Sequence, residues 1–438
     1  MEIKRDFYLN KLIRSMHNGM VKVITGIRRC GKSYLLKTLF KDYLLSNGVL
    51  EERIIDIDLS SSENSSLTNP MNLDEFIKGK INKRNEFYLF IDEIQFCESI
   101  QNPAFEGVKT NDGDIPQINF YNVLNGLLSS YPNVDIYVTG SSSRLLSSDV
   151  LTEFRGRGWQ IDLAPLSFSE YVGAFPSKDK RTLFDEYLTF GGMPGMMAYG
   201  NVQDKISYLN NLFELTYIKD ILEHAGISNN VAVKELLSVL ASSEGSLISV
   251  NKISEIFKQR EDKGISRPTI EKYMSAFMDS FLIKEVNRFD IKGNNIIASS
   301  KKYYFADCGL RNALLSFSQN DRGHLMESVI YRELKRRGYA VNVGVVPVVE
   351  SNNDGTRTRK QYEVDFIATM GSEKLYIQSA YRIYDDEKLQ QESNSFLRID
   401  DSFRKVLVEG DLYLPYTDKN GIEHVGIIDF LCDEKYSS

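Results

Sequence analysis

The run from Gly26 to Ser33 has the form G-x-x-x-x-G-K-S, and it constrains the fold of this chain more than any other feature. It lies between a short apolar run, Val21 to Ile24, and a stretch with helical character, Tyr34 to Phe40. A glycine-rich turn between a strand and a helix lets successive backbone N–H groups point at an anion, at the positive end of the helix. In this context the motif predicts binding of a nucleoside triphosphate. The residues expected to hold its phosphates are Gly26, Ile27, Arg28, Arg29, Cys30, Gly31, Lys32 and Ser33.

The end of this loop and a second buried strand predict the chemistry of hydrolysis. Lys32 supplies a mobile cation for the β- and γ-phosphates, and the Ser33 hydroxyl suits a ligand of Mg²⁺. Hydrolysis also needs an acidic pair at the end of another buried strand. The apolar run Phe87 to Ile91 is followed at once by Asp92 and Glu93. We therefore predict that Asp92 holds the water shell of the metal and that Glu93 is the general base.

A third apolar run, Val134 to Val138, is followed by a cluster of serines. A hydroxyl at the tip of a strand beside the acidic one can hydrogen-bond the attacking water or the γ-phosphate, so Ser141 and Ser142 are candidates for that role. Serines also cap helices, and a helix is expected from Arg144 to Leu151. A purely structural role for these serines therefore stays open.

Two arginines follow among glycines, in the run Phe154-Arg155-Gly156-Arg157-Gly158. A guanidinium can stabilise charge on the phosphoryl group being transferred, either within its own chain or from a neighbouring subunit. Arg155 and Arg157 are thus candidate catalytic residues, and the alternative is that they pair with surface carboxylates.

Composition limits the kind of protein. A chain of 438 residues is too long for one ordinary core, and 42% hydrophobic with 26% charged residues is typical of a soluble globular protein. No apolar run approaches the roughly 20 residues of a membrane span. The four cysteines are too scattered for a zinc site or a disulfide framework, and a cytoplasmic location is expected. The net charge of −7 argues against indiscriminate coating of nucleic acid, although a local basic face would survive that average.

The predicted fold class is α/β, in four domains. Residues 1–163 alternate strand-like and helical runs, which predicts a parallel sheet covered by helices, the core of a P-loop NTPase. Residues 164–227 are expected to form a helical lid. Within it the turn from Gly191 to Gly195 interrupts the helices. This turn either contacts the nucleotide base or forms an ordinary corner between helices.

Residues 228–320 suggest a winged helix-turn-helix, because three helical stretches precede two strand-like runs. Residues 252–311 contain twelve basic and eight acidic residues, a small excess that makes DNA binding plausible. The alternative is a module that joins domains or contacts protein. The basic residues expected on the third helix and the wing are Arg267, Lys272, Lys284, Arg288, Lys292, Lys301 and Lys302.

In residues 321–438, Glu327 lies on a predicted helix and Asp365 on a predicted strand. This order resembles the α/β fold of restriction endonucleases and other PD-(D/E)XK nucleases, in which the two residues match two of the metal-binding carboxylates. The next strand should carry Glu-x-Lys, but it carries Gln378-Ser379-Ala380. Without the second carboxylate the site binds Mg²⁺ less well, and without the lysine it lacks a cation for the developing oxyanion. We expect a degenerate site at Glu327, Asp365 and Gln378, and lost nuclease activity.

Taken together, the segments resemble prokaryotic AAA-type ATPases with a C-terminal domain of unknown function that comprises a winged helix and a PD-(D/E)XK-like fold. The resemblance implies ATP with Mg²⁺ as the ligand, a homo-oligomer in which subunits complete the site, and a role in hydrolysis for the arginine-glycine-arginine run. The matching motifs are Thr25 to Ser33, Ile91 to Gln95, Thr139 to Ser141, Phe154 to Arg157, Pro165 to Glu170, Gly191 to Pro194 and Glu363 to Phe366.

Three functional hypotheses follow. The first is an ATPase whose nucleotide state moves the lid and thereby the winged-helix and nuclease-like domains on DNA or a protein partner. The second is a DNA nuclease that ATP gates. The third is a nucleotide-dependent interaction switch with little turnover.

Overall fold

The computed structural model of the chain describes residues 3–105, 116–141, 152–218, 221–222, 226–227, 229–259, 265–319, 321–351 and 357–433. Ser142 and the helix expected from Arg144 to Leu151 lie outside the described residues. Contacts between residues divide the chain into two compact units. The first unit comprises residues 3–164 and 279–281, and the second comprises residues 165–278 and 282–438.

The first unit is built on a parallel sheet of five strands in the order β2-β3-β6-β1-β7. β1, β3 and β6 are buried along their whole length, as expected for central strands of a sheet with both faces covered. The α/β class and the parallel sheet predicted for this part of the chain are confirmed. A separate antiparallel pair joins β4 to β5. The strands are β1 Val21–Thr25, β2 Ile54–Asp58, β3 Phe87–Asp92, β4 Ile100–Gln101, β5 Gln117–Ile118, β6 Val134–Gly140 and β7 Gly158–Asp162.

Helices pack on this sheet through apolar side chains. On one face Val23, Leu89 and Ile136 of the sheet share a buried core with Leu73 of α4 and Leu124 of α5. The helix after the phosphate loop begins as α2, continues as a π-helix over Leu35–Phe40, and ends as α3. The helices are α1 Asp6–Arg14, α2 Lys32–Tyr34, α3 Lys41–Ser46, α4 Pro70–Lys80 and α5 Phe120–Ser130.

The second unit begins with helices. α6 starts at a capping box, in which the Ser167 and Glu170 side chains each bond the other residue's backbone N–H. A second π-helical segment covers Phe213–Ile218. The helices are α6 Phe168–Ala174, α7 Lys180–Phe190, α8 Val202–Leu212, α9 Asn230–Ser242, α10 Val250–Gln259, α11 Arg267–Asp279, α12 Cys308–Leu314, α13 Arg322–Arg336, α14 Asp386–Ser393 and α15 Ile427–Cys432.

The glycine pair after α7 packs against Asp307. Gly191 has φ +72°, and a Cβ there would lie 2.0 Å from Oδ1 of Asp307. The Gly192 N–H donates to Oδ2 of Asp307 at 2.6 Å, and Asp307 also caps α12 by accepting from the Leu310 N–H. The close approach of Asp307 accounts for Gly191, and Gly192 is required because a Cβ there would lie 2.2 Å from the Leu166 carbonyl oxygen. These buried contacts favour the interpretation of the turn as a corner between helices.

The sheet of the second unit has eight strands in the order β14-β15-β13-β12-β11-β10-β8-β9. The hairpin β8-β9, expected as a separate wing, joins this sheet because β8 pairs in parallel with β10. The sheet therefore crosses the boundary that we expected between residues 320 and 321. The strands are β8 Ile283–Asp290, β9 Asn295–Phe305, β10 Ala340–Ser351, β11 Arg357–Met370, β12 Glu373–Ala380, β13 Arg404–Glu409, β14 Tyr416–Thr417 and β15 Glu423–Gly426.

Among the described residues, no helix combines the length and the apolar character that a membrane span needs.

Candidate functional site

The loop at the carboxyl end of β1 has the backbone that a phosphate cradle requires. Gly26, Arg29 and Gly31 all have positive φ, at +150°, +63° and +103°. A Cβ at Gly26 would lie 2.2 Å from the Leu163 carbonyl oxygen, so the position excludes any side chain. Positive φ values along such a turn can direct backbone N–H groups toward one concavity, as in phosphate-binding nests. The residues of this loop therefore fit a triphosphate.

Replacement of Gly26 by alanine tests that fit. The added Cβ would force the loop away from Leu163, with a strain of about 1–3 kcal/mol, so we expect ATP affinity to fall by about 5- to 150-fold. Titration with a fluorescent ATP analogue measures the change. Gly126→Ala in α5 is the matched control, because a Cβ there meets no atom within 4 Å; equal affinity in both variants would contradict the prediction.

Hydrogen bonds from the side chains of Lys32, Arg5 and Cys30 hold the phosphate loop in shape. Lys32 is 4% exposed, and its ammonium donates to the carbonyl oxygens of Gly26 at 3.1 Å and Ile27 at 3.4 Å. Arg5 donates to the carbonyl oxygens of Cys30 and Ala164, a contact that the sequence did not predict. The Cys30 thiol donates to Leu163, and burial raises its pKa. Cys30 thus supports the shape of the loop and is not a reactive thiolate.

The acidic pair lies at the same edge of the sheet as the loop. β6 separates β3 from β1, so the ends of β1 and β3 flank the end of β6. Asp92 is 3% exposed, and its Oδ1 accepts a hydrogen bond from the Thr139 hydroxyl. The same hydroxyl accepts from the Glu93 N–H at 3.0 Å. Thr139 therefore links the two acidic residues, and sequence reasoning missed it.

Glu93 is held in a strained conformation among polar partners. Its φ is +54°, and such outliers concentrate at functional sites. Its Oε2 accepts from the Ser141 hydroxyl at 3.1 Å and from the Gln95 amide, which also donates to Ser141 at 3.3 Å. The Gln95 Oε1 atom is buried and has no donor in the described part of the chain. A buried acceptor beside a carboxylate suits the protons of a water, so these residues fit a site that orients one.

The Lys37 ammonium lies beside Asp92 and two further carboxylates. It lies one helical turn after Ser33, and its ammonium is 3.3 Å from Asp56, 3.3 Å from Asp58 and 3.6 Å from Asp92. Burial opposes its charged form, but the three carboxylates outweigh burial and raise the pKa of Lys37. The Ser33 hydroxyl and the Asp92 carboxylate are the hard oxygen donors that Mg²⁺ prefers. They would hold it together with water and phosphate oxygens.

Loss of the Thr139 hydroxyl tests the link between Asp92 and Glu93. The isosteric change Thr139→Val leaves the Glu93 N–H and one Asp92 oxygen unpaired, so the free energy of unfolding should fall by about 1–3 kcal/mol. Phosphate release should fall about tenfold or more, because both carboxylates lose their positioning. Urea denaturation and a phosphate-release assay measure the two effects. Thr139→Ser should retain the stability and the rate of phosphate release of the wild type. If Thr139→Val also retained both, the hydroxyl would not position Asp92 and Glu93.

The two candidate arginines lie at the other end of the sheet. The Arg157 carbonyl accepts from the Val21 N–H at the start of β1, whereas the phosphate loop follows its end. The five residues of β1 separate these ends by about 13 Å. The Arg157 guanidinium donates to Asn125 and Ser129, and Arg155 is exposed with φ +53°. The structure therefore does not bring either arginine to the phosphate loop of its own chain, and action from a neighbouring subunit stays a proposal.

The second expected site, in the C-terminal part, is assembled only in part. Glu327 of α13 and Asp365 of β11 both lie beside Lys302 of β9, at 2.8 Å and 3.7 Å from its ammonium. Gln378 turns to other partners: its Oε1 accepts from the Asp365 backbone N–H and its amide donates to Glu392. Of the described residues, no group of three or more His, Cys, Asp or Glu side chains is placed to hold a metal ion.

The basic residues expected on the wing are largely engaged. Lys301 pairs with Glu285, Arg288 donates to Gln361, and Lys302 is 2% exposed. Burial disfavours the charge of Lys302, yet Glu327 and its neighbouring carboxylates raise the pKa of this lysine. Lys302 therefore does not belong to a DNA-facing surface, which corrects that part of the prediction.

Comparison with known proteins places the two parts of the chain. Residues 18–172 match the family model described as an AAA domain, and residues 181–321 match a domain of unknown function (DUF8612). An uncharacterized protein of Haemophilus influenzae is 31% identical over 435 residues, with 98% of each chain covered. The uncharacterized protein MJ1544 of Methanocaldococcus jannaschii is 31% identical over 383 residues, covering 84% of this chain and 76% of that protein.

Among solved structures, the Aeropyrum pernix ORC1 protein in complex with DNA is 11% identical, with 72% of this chain and 93% of that chain covered. The TM-score is 0.29. The AAA domain predicted at the N-terminal side is confirmed by the family match. The chain therefore belongs to the family of the Haemophilus influenzae and Methanocaldococcus jannaschii proteins, and its matched regions are an AAA domain followed by a domain of unknown function.

Proposed function

We propose that this protein binds ATP with Mg²⁺ at the loop from Gly26 to Ser33 and hydrolyses it. One observation supports the proposal above all. The phosphate loop, the acidic pair Asp92 and Glu93, and the Ser141 hydroxyl all lie at the carboxyl ends of β1, β3 and β6, at one edge of the sheet. Bound Mg²⁺ would supply charge neutralisation at the phosphates.

Each side chain then has a distinct task. Lys32 exchanges its contacts with the loop carbonyls for the β- and γ-phosphate oxygens, which bind a cation more strongly than neutral carbonyls do. Glu93 accepts the proton of the attacking water, while Ser141 and Gln95 hold its carboxylate in place. Asp92 orients the water shell of the metal, and Thr139 and Lys37 fix its two oxygens.

We further propose that the second unit responds to the nucleotide as one body. The helices expected as a separate lid are tied to later parts of the chain: Asp307 accepts from the Gly192 N–H, and the Asn312 amide donates to the carbonyl oxygens of Leu188 and Thr189. Arg322, at the start of α13, pairs with Asp185, which lies on α7. A shift of α7 would therefore carry the later helices and the eight-stranded sheet with it.

DNA is the partner that we propose for this body. Helices α9, α10 and α11, followed by the hairpin β8-β9, have the order of a winged helix-turn-helix. α11 exposes Arg267 and Lys272, of which Arg267 pairs with Glu271 in the same helix. A protein partner is the alternative. We also propose a homo-oligomer, in which the exposed Arg155 of a neighbouring subunit could reach the phosphates.

Phosphate release by the purified protein tests these proposals. It should require Mg²⁺, and it should increase with duplex or single-stranded DNA if DNA is the partner. ATP binding without phosphate release would instead support a nucleotide-dependent switch. Nicking of DNA with Mg²⁺ or Mn²⁺ that disappears in Asp365→Ala would support an ATP-gated nuclease, and DNA that stays intact with both metals would remove that alternative.

A further inference from the structure

An ammonium group lies at the centre of the acidic cluster in the second unit. The Lys302 side chain is 2% exposed, and its Nζ is 2.8 Å from Oε1 of Glu327 and 2.7 Å from Oε1 of Glu363. Oδ1 of Asp365 lies 3.7 Å away. These three carboxylates come from a helix and a strand that are adjacent in the fold, and the lysine comes from the hairpin β8-β9 at the other side of β10.

Two further donors reach these carboxylates. The Tyr304 hydroxyl donates to Oε1 of Glu327 at 2.5 Å, and the Ser379 N–H donates to Oδ2 of Asp365 at 2.8 Å. Aromatic rings enclose this side: Tyr304 stacks on Tyr331 with ring centroids 4.5 Å apart, and Phe366 lies 5.9 Å from Tyr304. Around the buried side chains of Lys302, Glu327 and Asp365 the cluster is therefore a hydrogen-bonded ion-pair network, with the Glu363 side chain 37% exposed at its side.

A divalent cation does not fit among these groups. Mg²⁺ requires near-octahedral oxygen ligands at about 2.0–2.1 Å and usually keeps several waters. Here the lysine already occupies the space between the carboxylates, and the third ligand position of the nuclease pattern, Gln378, bonds the Asp365 N–H and Glu392. The side chains present thus contradict the metal that the nuclease-like pattern implies.

We propose that the ammonium of Lys302 takes the place of the divalent cation in this cluster, so that a lysine-centred ion-pair network replaces a metal-dependent nuclease centre. Lysine supplies one positive charge and three N–H donors to this cluster, in which Glu327 and Asp365 would otherwise be buried without a counter-ion. This inference is independent of ATP hydrolysis, because all of its residues belong to the second unit.

Mn²⁺ binding to the full-length, nucleotide-free protein, followed by electron paramagnetic resonance, tests the proposal. The wild type and Asp365→Asn should bind Mn²⁺ equally, because the cluster takes none. Lys302→Ala should bind about one additional Mn²⁺ per chain. Removing the ammonium leaves the carboxylates of Glu327, Glu363 and Asp365 without their counter-ion, and Mn²⁺ can then take its place. The double variant Lys302→Ala with Asp365→Asn should lose that additional ion.

Lys301→Ala is the matched control, because Lys301 is the neighbouring residue and pairs with Glu285 outside the cluster; it should bind no additional Mn²⁺. If Lys302→Ala is unstable without metal, its melting temperature should rise with Mn²⁺ while that of Lys301→Ala stays constant. Mn²⁺ binding by the wild type that falls in Asp365→Asn would overturn the proposal. So would a natively folded Lys302→Ala whose Mn²⁺ binding and melting temperature match those of the wild type.

Discussion

Replacement of Glu93 by glutamine should reduce the rate of phosphate release about 10²–10⁴-fold while ATP still binds. Glutamine has nearly the shape of glutamate and can keep a hydrogen bond with the Ser141 hydroxyl. It cannot accept a proton from water, so the chemical step loses its general base. Phosphate release under saturating ATP measures the rate, and titration with a fluorescent ATP analogue measures binding. The separation of the two effects is the signature of a residue that acts in the reaction.

Glu98→Gln is the matched control for this experiment, because Glu98 is an exposed carboxylate five positions further along the chain. It should hydrolyse ATP at the rate of the wild type. Normal hydrolysis by Glu93→Gln would show that another group takes the proton. Loss of ATP binding in Glu93→Gln would show that the glutamate supports the structure of the site.

Lys32→Ala should weaken ATP binding about 10–100-fold, because hydrogen bonds from a charged group contribute about 1.5–3 kcal/mol. The ammonium already lies in the loop, where it contacts two carbonyl oxygens. It is therefore largely desolvated and close to the expected position of the phosphate oxygens before ATP binds. Alanine removes the cation and keeps the helical backbone. Isothermal titration calorimetry with Mg-ATP measures the affinity directly.

Lys41→Ala separates this effect from a general loss of positive charge. Lys41 lies on the helix that continues from the phosphate loop, and it pairs with the exposed Glu51 at 3.0 Å. The control should bind ATP as the wild type does. If Lys32→Ala and the wild type gave the same affinity, the loop from Gly26 to Ser33 would not be the nucleotide site.

The sequence predicted the sheet of the first unit because its signals are local. An apolar run that ends in polar residues indicates a buried strand whose carboxyl end carries a site, and this pattern holds for β1, β3 and β6. Asp92, Glu93 and Ser141 could therefore be identified before their distances were known. The structure brings these residues together at one edge of the sheet.

Other parts of the site depend on contacts between distant segments, which leave no local signal. Thr139 lies near the end of β6, where the sequence alone does not indicate its role. Only the pairing of β3 with β6 places its hydroxyl against Asp92. Gln95 stands in a quoted motif without an assigned role, because its contact with Ser141 spans 46 positions. Lys302 appeared to be one of several basic wing residues until the joining of β8 to β10 placed it among carboxylates. The place of Arg155 and Arg157 likewise has no local signal, since strand direction decides at which edge of the sheet they lie.

The bond from Gly192 to Asp307 spans 115 positions and has a consequence for cutting the chain into pieces. A fragment that stopped before residue 307 would keep α7 and its glycine corner but would lose the carboxylate that accepts from that corner. A buried N–H left alone costs about 1–3 kcal/mol, and the carbonyls of Leu188 and Thr189 would lose the Asn312 amide as well. The helices of residues 165–227 are therefore not a detachable module, and any shortened protein meant to retain them must extend through α12.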